Sequence, residues 1–411
     1  MHPQREQLHN ELHARPSIYF SEPAHLHHYA FLDTDGVCDG IVRRLYELTG
    51  TRPAPDAVQG ILTLDGDRVL KWERHTEFFT LTLMVPIVDD TPLWPAPPPR
   101  LAEIAEAHQQ ALISATLIRV ENEADWAGDT AHYGFVDPAG SRVAGGDATV
   151  WSDFRLDEAG VNRLLVVNRG LNDFRLGRIG RRLLEIETYR MMASLALPLA
   201  KSLGAELAGF EAELGELSDR NAEDLPGGPR QLLGAIASLS ARLERCGAQS
   251  RHRFAATEAY ARIVFDRVER LRETRVADCQ RLGLFLMRRF QPTVRYCAAV
   301  DRRQERLAEN VARLNDLLRT RAQVEIEEQN VEILKSLDAR SSSQLKIQKA
   351  VEGLSIIVIS YYVFSLIKLA LDSLEALGMP VAPWRAVAVF GPLALLVLVL
   401  LGWRIWRVKN H

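Results

Sequence analysis

Two apolar runs near the end of the chain constrain its fold more than any other feature. The first, "GLSIIVISYYVFSLIKLALDSL", covers 353–374 and is uncharged from Gly353 to Ile367. The second, "AVAVFGPLALLVLVLLGW", covers 386–403 and carries no charge. A bilayer core needs about 20 mainly apolar residues in a helix, and at ~1.5 Å per residue each run is about long enough. Two transmembrane helices are therefore expected, joined by an external loop over 375–385. Trp384 and Trp403 sit at the ends of the second run, where indoles favour the interface. Pro392 after Gly391 predicts a kink or a helix start there. A buried hairpin in a soluble core is the alternative, but two such runs this close together favour the membrane.

The flanking charges set an orientation. Lys346 and Lys349 precede the first run, and Arg404, Arg407 and Lys409 follow the second in a basic tail, 404–411. The connection holds Asp372, Glu375 and one basic residue, Arg385. Basic residues stay on the cytoplasmic side, so both termini are expected there.

The rest of the chain is polar and balanced, with 50 basic and 53 acidic side chains and a net charge of -3. No global field draws it to a polyanion, so nucleic acid is not an expected partner. Cys38, Cys246, Cys279 and Cys297 lie far apart with no Cys-x-x-Cys pair, which argues against a zinc ribbon and fits a reducing compartment. The opening "MHPQREQLHNELHARP" has no apolar centre and does not read as a secretory signal.

The expected fold class is α+β. Residues 1–170 read as a cytoplasmic domain with a mixed or antiparallel sheet. Within it, "GILTLDGDRVLKWERHTEFFTLTLMVPI" holds strand runs around an Asp-Gly turn at Asp65-Gly66, and "ALISATLIRVE" is a further strand. Two short helices are expected near 37–49 and 98–111. Residues 171–292 read as coiled-coil-like helices. Leu203, Leu207, Phe210, Leu214 and Leu217 form one seam and Leu232, Ile236, Leu239 and Leu243 another, with "LPGGP" between them as the turn. A third helix is expected to continue to Pro292. A stalk helix over 293–352 then leads into the first span. Its seam begins with Leu307, Val311, Leu314 and Leu318, and Leu317, Val324 and Val331 keep a seven-residue spacing. So long a polar helix needs neighbours, from its own chain or from further copies, so a homo-oligomer and coiled-coil protein partners are expected beside the bilayer.

Candidate chemistry is sparse. "HNELH" puts His9 and His13 four residues apart, on one face if helical, and "HLHH" adds imidazoles at His25, His27 and His28. His9 and His13 are the candidate metal ligands, but the metalloprotease order of His and Glu is missing, and capping or intersubunit contact is the alternative. "GRIGRR" at 177–182 has a phosphate-loop look without the following lysine and hydroxyl residue, and its Gly-x-x-Gly also suits the start of a helix. No catalytic motif and no cofactor signature stand out, so a scaffold or transporter is favoured over a tethered enzyme, whose residues, if brought together from distant positions, would leave no local motif. In the first span Tyr361, Ser365, Lys368 and Asp372 step by four, three and four, forming a polar stripe. Such a stripe lines a pore or an interface, or Lys368 snorkels outward beside Asp372.

Two segments, "HNELHARP" at 9–16 and "RRLLEIETYRMMASLALPLA" at 181–200, give most of the chain a resemblance to an uncharacterised family of bacterial membrane-anchored proteins. That resemblance implies the bacterial inner membrane and no particular activity. The order of parts also resembles CorA-type magnesium transporters, which have a cytoplasmic α/β domain, a long stalk helix, two spans and a basic tail. Their Gly-Met-Asn after the first span is here Gly378-Met379-Pro380.

Overall fold

The computed structural model describes residues 16–34, 36–50, 57–223 and 228–377, with scattered positions before and after them. The chain divides into two compact units, 1–317 and 318–411.

In the first unit, alternating side chains build a nine-stranded sheet. Its strands are β1 (Ala24–Leu32), β2 (Gln59–Thr63), β3 (Val69–Arg74), β4 (Phe78–Pro86), β5 (Leu112–Asn122), β6 (Ala139–Val143), β7 (Ala148–Ser152), β8 (Asn162–Asn168) and β9 (Thr274–Arg275). Their spatial order is β2-β3-β4-β1-β5-β8-β7-β6-β9. All neighbours run antiparallel except β5 and β8, so the sheet is mixed. The expected Asp-Gly turn joins β2 to β3, with Gly66 at φ 71° and Asp67 at φ 58°. Gly145 and Gly146, at φ 82° and 102°, turn β6 into β7. Glycine has no Cβ to clash in that left-handed region.

Helices cover both faces. On one lie α1 (Val37–Thr49) and α2 (Pro99–Ala107), whose Ile41, Leu45, Leu101 and Ile104 pack on Phe31, Trp72, Phe79 and Leu81. The other face meets α3 (Asp173–Ser194), backed by α5 (Gly228–Arg270) and the start of α6 (Leu282–Ala376). Asn172 caps α3, its side-chain oxygen accepting from the Arg175 amide at 3.0 Å. Leu176 and Leu183 of α3, Val264 of α5 and Leu286 and Phe290 of α6 share one core with Leu26, Ile118 and Leu164 of the sheet. The strand region and the helices that follow are thus held by common apolar packing.

Between α3 and α5 lies α4 (Ala196–Ala222). Leu203, Leu207 and Leu217 of its seam are buried, and Phe210 and Leu214 half-buried. Leu232, Ile236, Leu239 and Leu243 of α5 are all buried. Arg242 reaches across to Glu213 at 2.5 Å.

The break between the last two long helices differs from expectation. The helix expected to reach Pro292 ends at Arg270, and Pro292 lies inside α6. Arg272 and Ala277 take positive φ, 49° and 46°, and Thr274–Arg275 between them pairs with Ser141 and Arg142 of β6. Glu273 and Ser141 then secure the new helix. Ser141 Oγ accepts from the Leu282 amide at 2.9 Å and donates to Glu273 Oε2 at 2.8 Å, and the Gly283 amide donates to Glu273 at 2.8 Å. A carboxylate on free amides of a helix start is favourable. These bonds fix the helix start ahead of the proline, which costs α6 one internal hydrogen bond in its third turn.

In the second unit the described residues continue α6 to Ala376. Of the expected second span, 386–403, the described residues are scattered helical positions and form no continuous element, and most of the 375–385 loop and all of the 404–411 tail lie outside the described residues, so the expected two-helix hairpin is not shown.

Candidate functional site

Strands β1, β3 and β4 turn an unusual surface toward α3. Their other face has an apolar centre, with Leu70 and Trp72 of β3, Phe79, Leu81 and Leu83 of β4 and Tyr29 and Phe31 of β1. Because strand side chains alternate, the α3 face receives Lys71 and Glu73, Thr80 and Thr82, and His28. Such a face is ordinarily left to water. Here Lys71 is 4% exposed, Thr80 4% and His28 5%.

The helix meets this face with polar groups of its own. Arg181, Glu185, Thr188 and Tyr189 of α3 and Arg267 of α5 close over it, and Ser17, Ile18 and Phe20 line one side. The cavity between them, partly open to solvent, has a volume of about 110 Å³. Lys71 Nζ lies 2.9 Å from Glu73 Oε1. Glu185 takes Arg181 on one oxygen at 2.8 Å and Arg267 on the other at 2.5 Å. His28 is held between two hydroxyls, with Nδ1 2.8 Å from Thr82 Oγ1 and Nε2 2.9 Å from Thr188 Oγ1. Apolar wall comes from Phe20, Leu26, Phe78 and Leu184.

Electrostatics follow from this enclosure. Burial pushes the His28 imidazole down to about 3 from 6.5, with the Lys71 ammonium acting in the same direction. His28 is therefore neutral and serves as a hydrogen-bonding link between its hydroxyl partners. Burial also lowers Lys71, while Glu73 beside it opposes the shift.

The Gly-x-x-Gly of α3 has a packing role. A Cβ at Gly177 would collide with the carbonyl oxygen of Ile18, and one at Gly180 would stand 2.9 Å from Leu26 Cδ1. The two glycines let α3 approach the sheet and the 16–20 segment closely, which sets the height of the cavity roof.

The three imidazoles of β1 do not converge. His28 faces α3, whereas His25 and His27 face the opposite side with ring centroids 6.3 Å apart. His25 Nε2 lies 3.0 Å from the Leu93 carbonyl oxygen. Near it, Glu121 takes Arg119 at 2.9 Å and accepts from the Tyr133 hydroxyl. Burial pushes His25 and His27 to about 4. Among the described residues no group of three or more His, Cys, Asp or Glu side chains could hold a metal. His13 lies outside the described residues, so the His9–His13 pair does too.

The other expected residues are placed along α6. Leu307, Val311 and Leu318 are buried and Leu314 is half-buried. Tyr361, Ser365, Lys368 and Asp372 are all exposed on the helix. None of them takes part in the cavity. Of the cavity residues, the sequence marks His28 in "HLHH" and Gly177 and Arg181 in "GRIGRR", for other roles, but not Lys71, Glu73, Glu185, Thr188 or Arg267, although Arg181, Glu185 and Thr188 repeat at helical spacing.

Across its full length, residues 1–411, the chain matches a family described as a protein of unknown function, DUF3422. The chain belongs to the DUF3422 family. No curated protein and no solved structure matches it. For this DUF3422 chain, the geometry of the cavity and of α6 is therefore the basis for any functional reading.

Proposed function

We propose that the chain is a membrane-tethered interaction scaffold that assembles with copies of itself. The observation that carries this reading is in α6. An 18-residue window of that helix has a mean hydropathy of 2.1, and none of the window is buried. Leu354, Ile357, Val358, Phe364, Leu366 and Leu369 are between 44% and 67% exposed. An apolar surface of that extent is rare on a soluble monomer and matches the demands of a hydrocarbon core. The basic flanks favour both termini in the cytoplasm, and the resemblance to bacterial membrane-anchored proteins favours the inner membrane.

Assembly is supported by the helix ahead of that window. Leu317, Val324 and Val331 are about half exposed and fall on the seven-residue spacing of a coiled-coil seam, which Asp338 interrupts before Leu345 resumes it. A second copy of the same helix is the simplest cover for such a seam, with other coiled-coil proteins as further partners.

Ion or small-solute conduction of the CorA type is the second reading. It draws on the order of parts and on the exposed stripe Tyr361, Ser365, Lys368 and Asp372. The scaffold reading is preferred because Lys368 would set a fixed positive charge in a cation path, and Pro380 stands where those transporters have asparagine.

The test is to wash membranes from cells expressing the full chain with alkaline carbonate and to weigh the detergent-extracted particle. Retention in the membrane and a mass of several chains are expected. Release into the wash, or a single-chain mass, overturns the proposal.

A further inference from the structure

The exposed stretch of α6 carries a second apolar row, on a different face from Leu317, Val324 and Val331. Ile326, Ile333, Ile347 and Leu354 fall on a seven-residue spacing, with Arg340 in the middle place. A companion set, Asn330, Leu337, Gln344, Val351 and Val358, lies four residues further on in each repeat, so the two sets alternate by four and three. That alternation is the core pattern of a coiled coil. Its apolar members are all exposed on the single chain, from Ile326 at 39% to Leu354 at 63%.

The charges around this row are sorted as an interface between copies needs. Residues 322–355 hold ten charged side chains. Eight fall on the three positions of the repeat that point away from the row, and the exceptions are Glu327 and Arg340. The flanking positions, where charges ordinarily choose a partner, hold Ser336, Ser343 and Ala350 on one side and Ser341, Gln348 and Ser355 on the other. Such flanks have nothing with which to repel a copy of themselves. The Leu317 row lacks this sorting, because Asp338 and Glu352 fall on it.

The polar layers set the register. Asn330 and Gln344 carry amides that both donate and accept, so each is satisfied by the same residue of a second copy. In a pairing slipped by a whole repeat, Asn330, Arg340 or Gln344 meets an apolar layer instead, at a cost in stability. In register, the long Arg340 side chain carries its charge outward to water. Copies that enter the bilayer from the same side through the 353–374 run are held parallel.

We propose that this row is the face on which copies of the chain pack side by side, parallel and in register, from Ile326 to Val358. It rests on the assembly of copies proposed above and extends the contact to a further face of the stalk.

Single cysteines introduced into the full chain test it, in native membranes treated with copper-phenanthroline. The parent chain, with its own four cysteines, is the blank. A disulfide needs Cα atoms within about 7 Å, which in-register core positions meet and outward positions do not. Ile333→Cys and Ile347→Cys should each give covalent dimers, several-fold more than Lys335→Cys and Ser342→Cys on the outer face. Arg340→Leu removes the one charge from the row, and its detergent-extracted particle should withstand about tenfold greater dilution before it dissociates. Silent Ile333→Cys and Ile347→Cys variants in a particle of several chains would overturn this face and leave the assembly reading standing, whereas a single-chain mass overturns both. Equal cross-linking on the outer face, or an Arg340→Leu particle that dissociates sooner than the parent, would also overturn it.

Discussion

His28 Nε2 and Thr188 Oγ1 lie 2.9 Å apart in the interior, joining the first strand of the sheet to a helix 160 residues further along the chain. Burial keeps the imidazole neutral, so one of its nitrogens donates to a threonine hydroxyl and the other accepts from one. Burial holds His28 at about 3 and His25 and His27 at about 4, all below the ordinary 6.5. The unfolded chain takes up these protons as pH falls through about 6.5, while the folded chain does not until far lower. Stability is therefore expected to be fully present above about pH 7 and to fall as the medium is acidified toward pH 4. Each histidine contributes up to about 1.4 kcal/mol per pH unit. Denaturant unfolding across that range should show the slope, and His28→Gln should reduce it by about 1.4 kcal/mol per unit. An unchanged slope in the variant would show that His28 titrates normally.

The glycines of the helices should respond in opposite directions to the same substitution. At Gly177 an added methyl meets the Ile18 backbone, which has no rotamer with which to yield. Gly177→Ala is expected to cost about 1–3 kcal/mol through overpacking. Gly209, inside α4, has open space around its missing Cβ. Gly209→Ala is expected to add about 0.5–1 kcal/mol by helix propensity. Thermal melts of both variants decide it, and a stabilised Gly177→Ala would refute the close-approach account.

Leu307 and Val311 are 3% and 1% exposed. Replacing both with Asp buries unpaired carboxylates and should cost several kcal/mol. Loss of folding or of the assembled particle is expected. Size-exclusion and melting profiles identical to the parent would place this face in solvent.

Lys368 separates tether from pore. On the scaffold reading, Lys368→Glu leaves insertion and particle size intact, and neither form conducts. Proteoliposomes loaded with a cation-sensitive dye give the measurement. Cation flux through the parent chain, changed in selectivity by the substitution, would transfer the argument to the conduction reading.

Much of this architecture is legible in the chain. The alternation in "VLKWERHTEFFTLTLMV" and the turn at Asp65-Gly66 identify the hairpins, and the leucine steps from Leu203 and from Leu232 identify two of the long helices. Thr274–Arg275 leaves no such trace, because two residues are too short to show a period and their pairing is decided by β6. The cavity is hidden for a different reason. Lys71, Glu73, Thr80 and Thr82 alternate with apolar neighbours as a solvated face would, and only the approach of α3 through Gly177 and Gly180 turns that face inward. The Gly-x-x-Gly was visible as a spacing, but its use depends on Ile18 and Leu26, which are distant in sequence.

The small ninth strand leaves the sheet with two unequal ends. At one end, Thr274 and Arg275 occupy the backbone groups of Ser141 and Arg142, and after six further residues the chain enters a helix. At the other end, β2 presents five residues with Ile61 45% exposed. An open strand edge is a template for another strand, and a capped one is not. Among the described residues, strand-by-strand growth of this sheet, whether by a bound extended peptide or in misassembly, is therefore directional: the five residues of β2 offer a longer template than the two of β9.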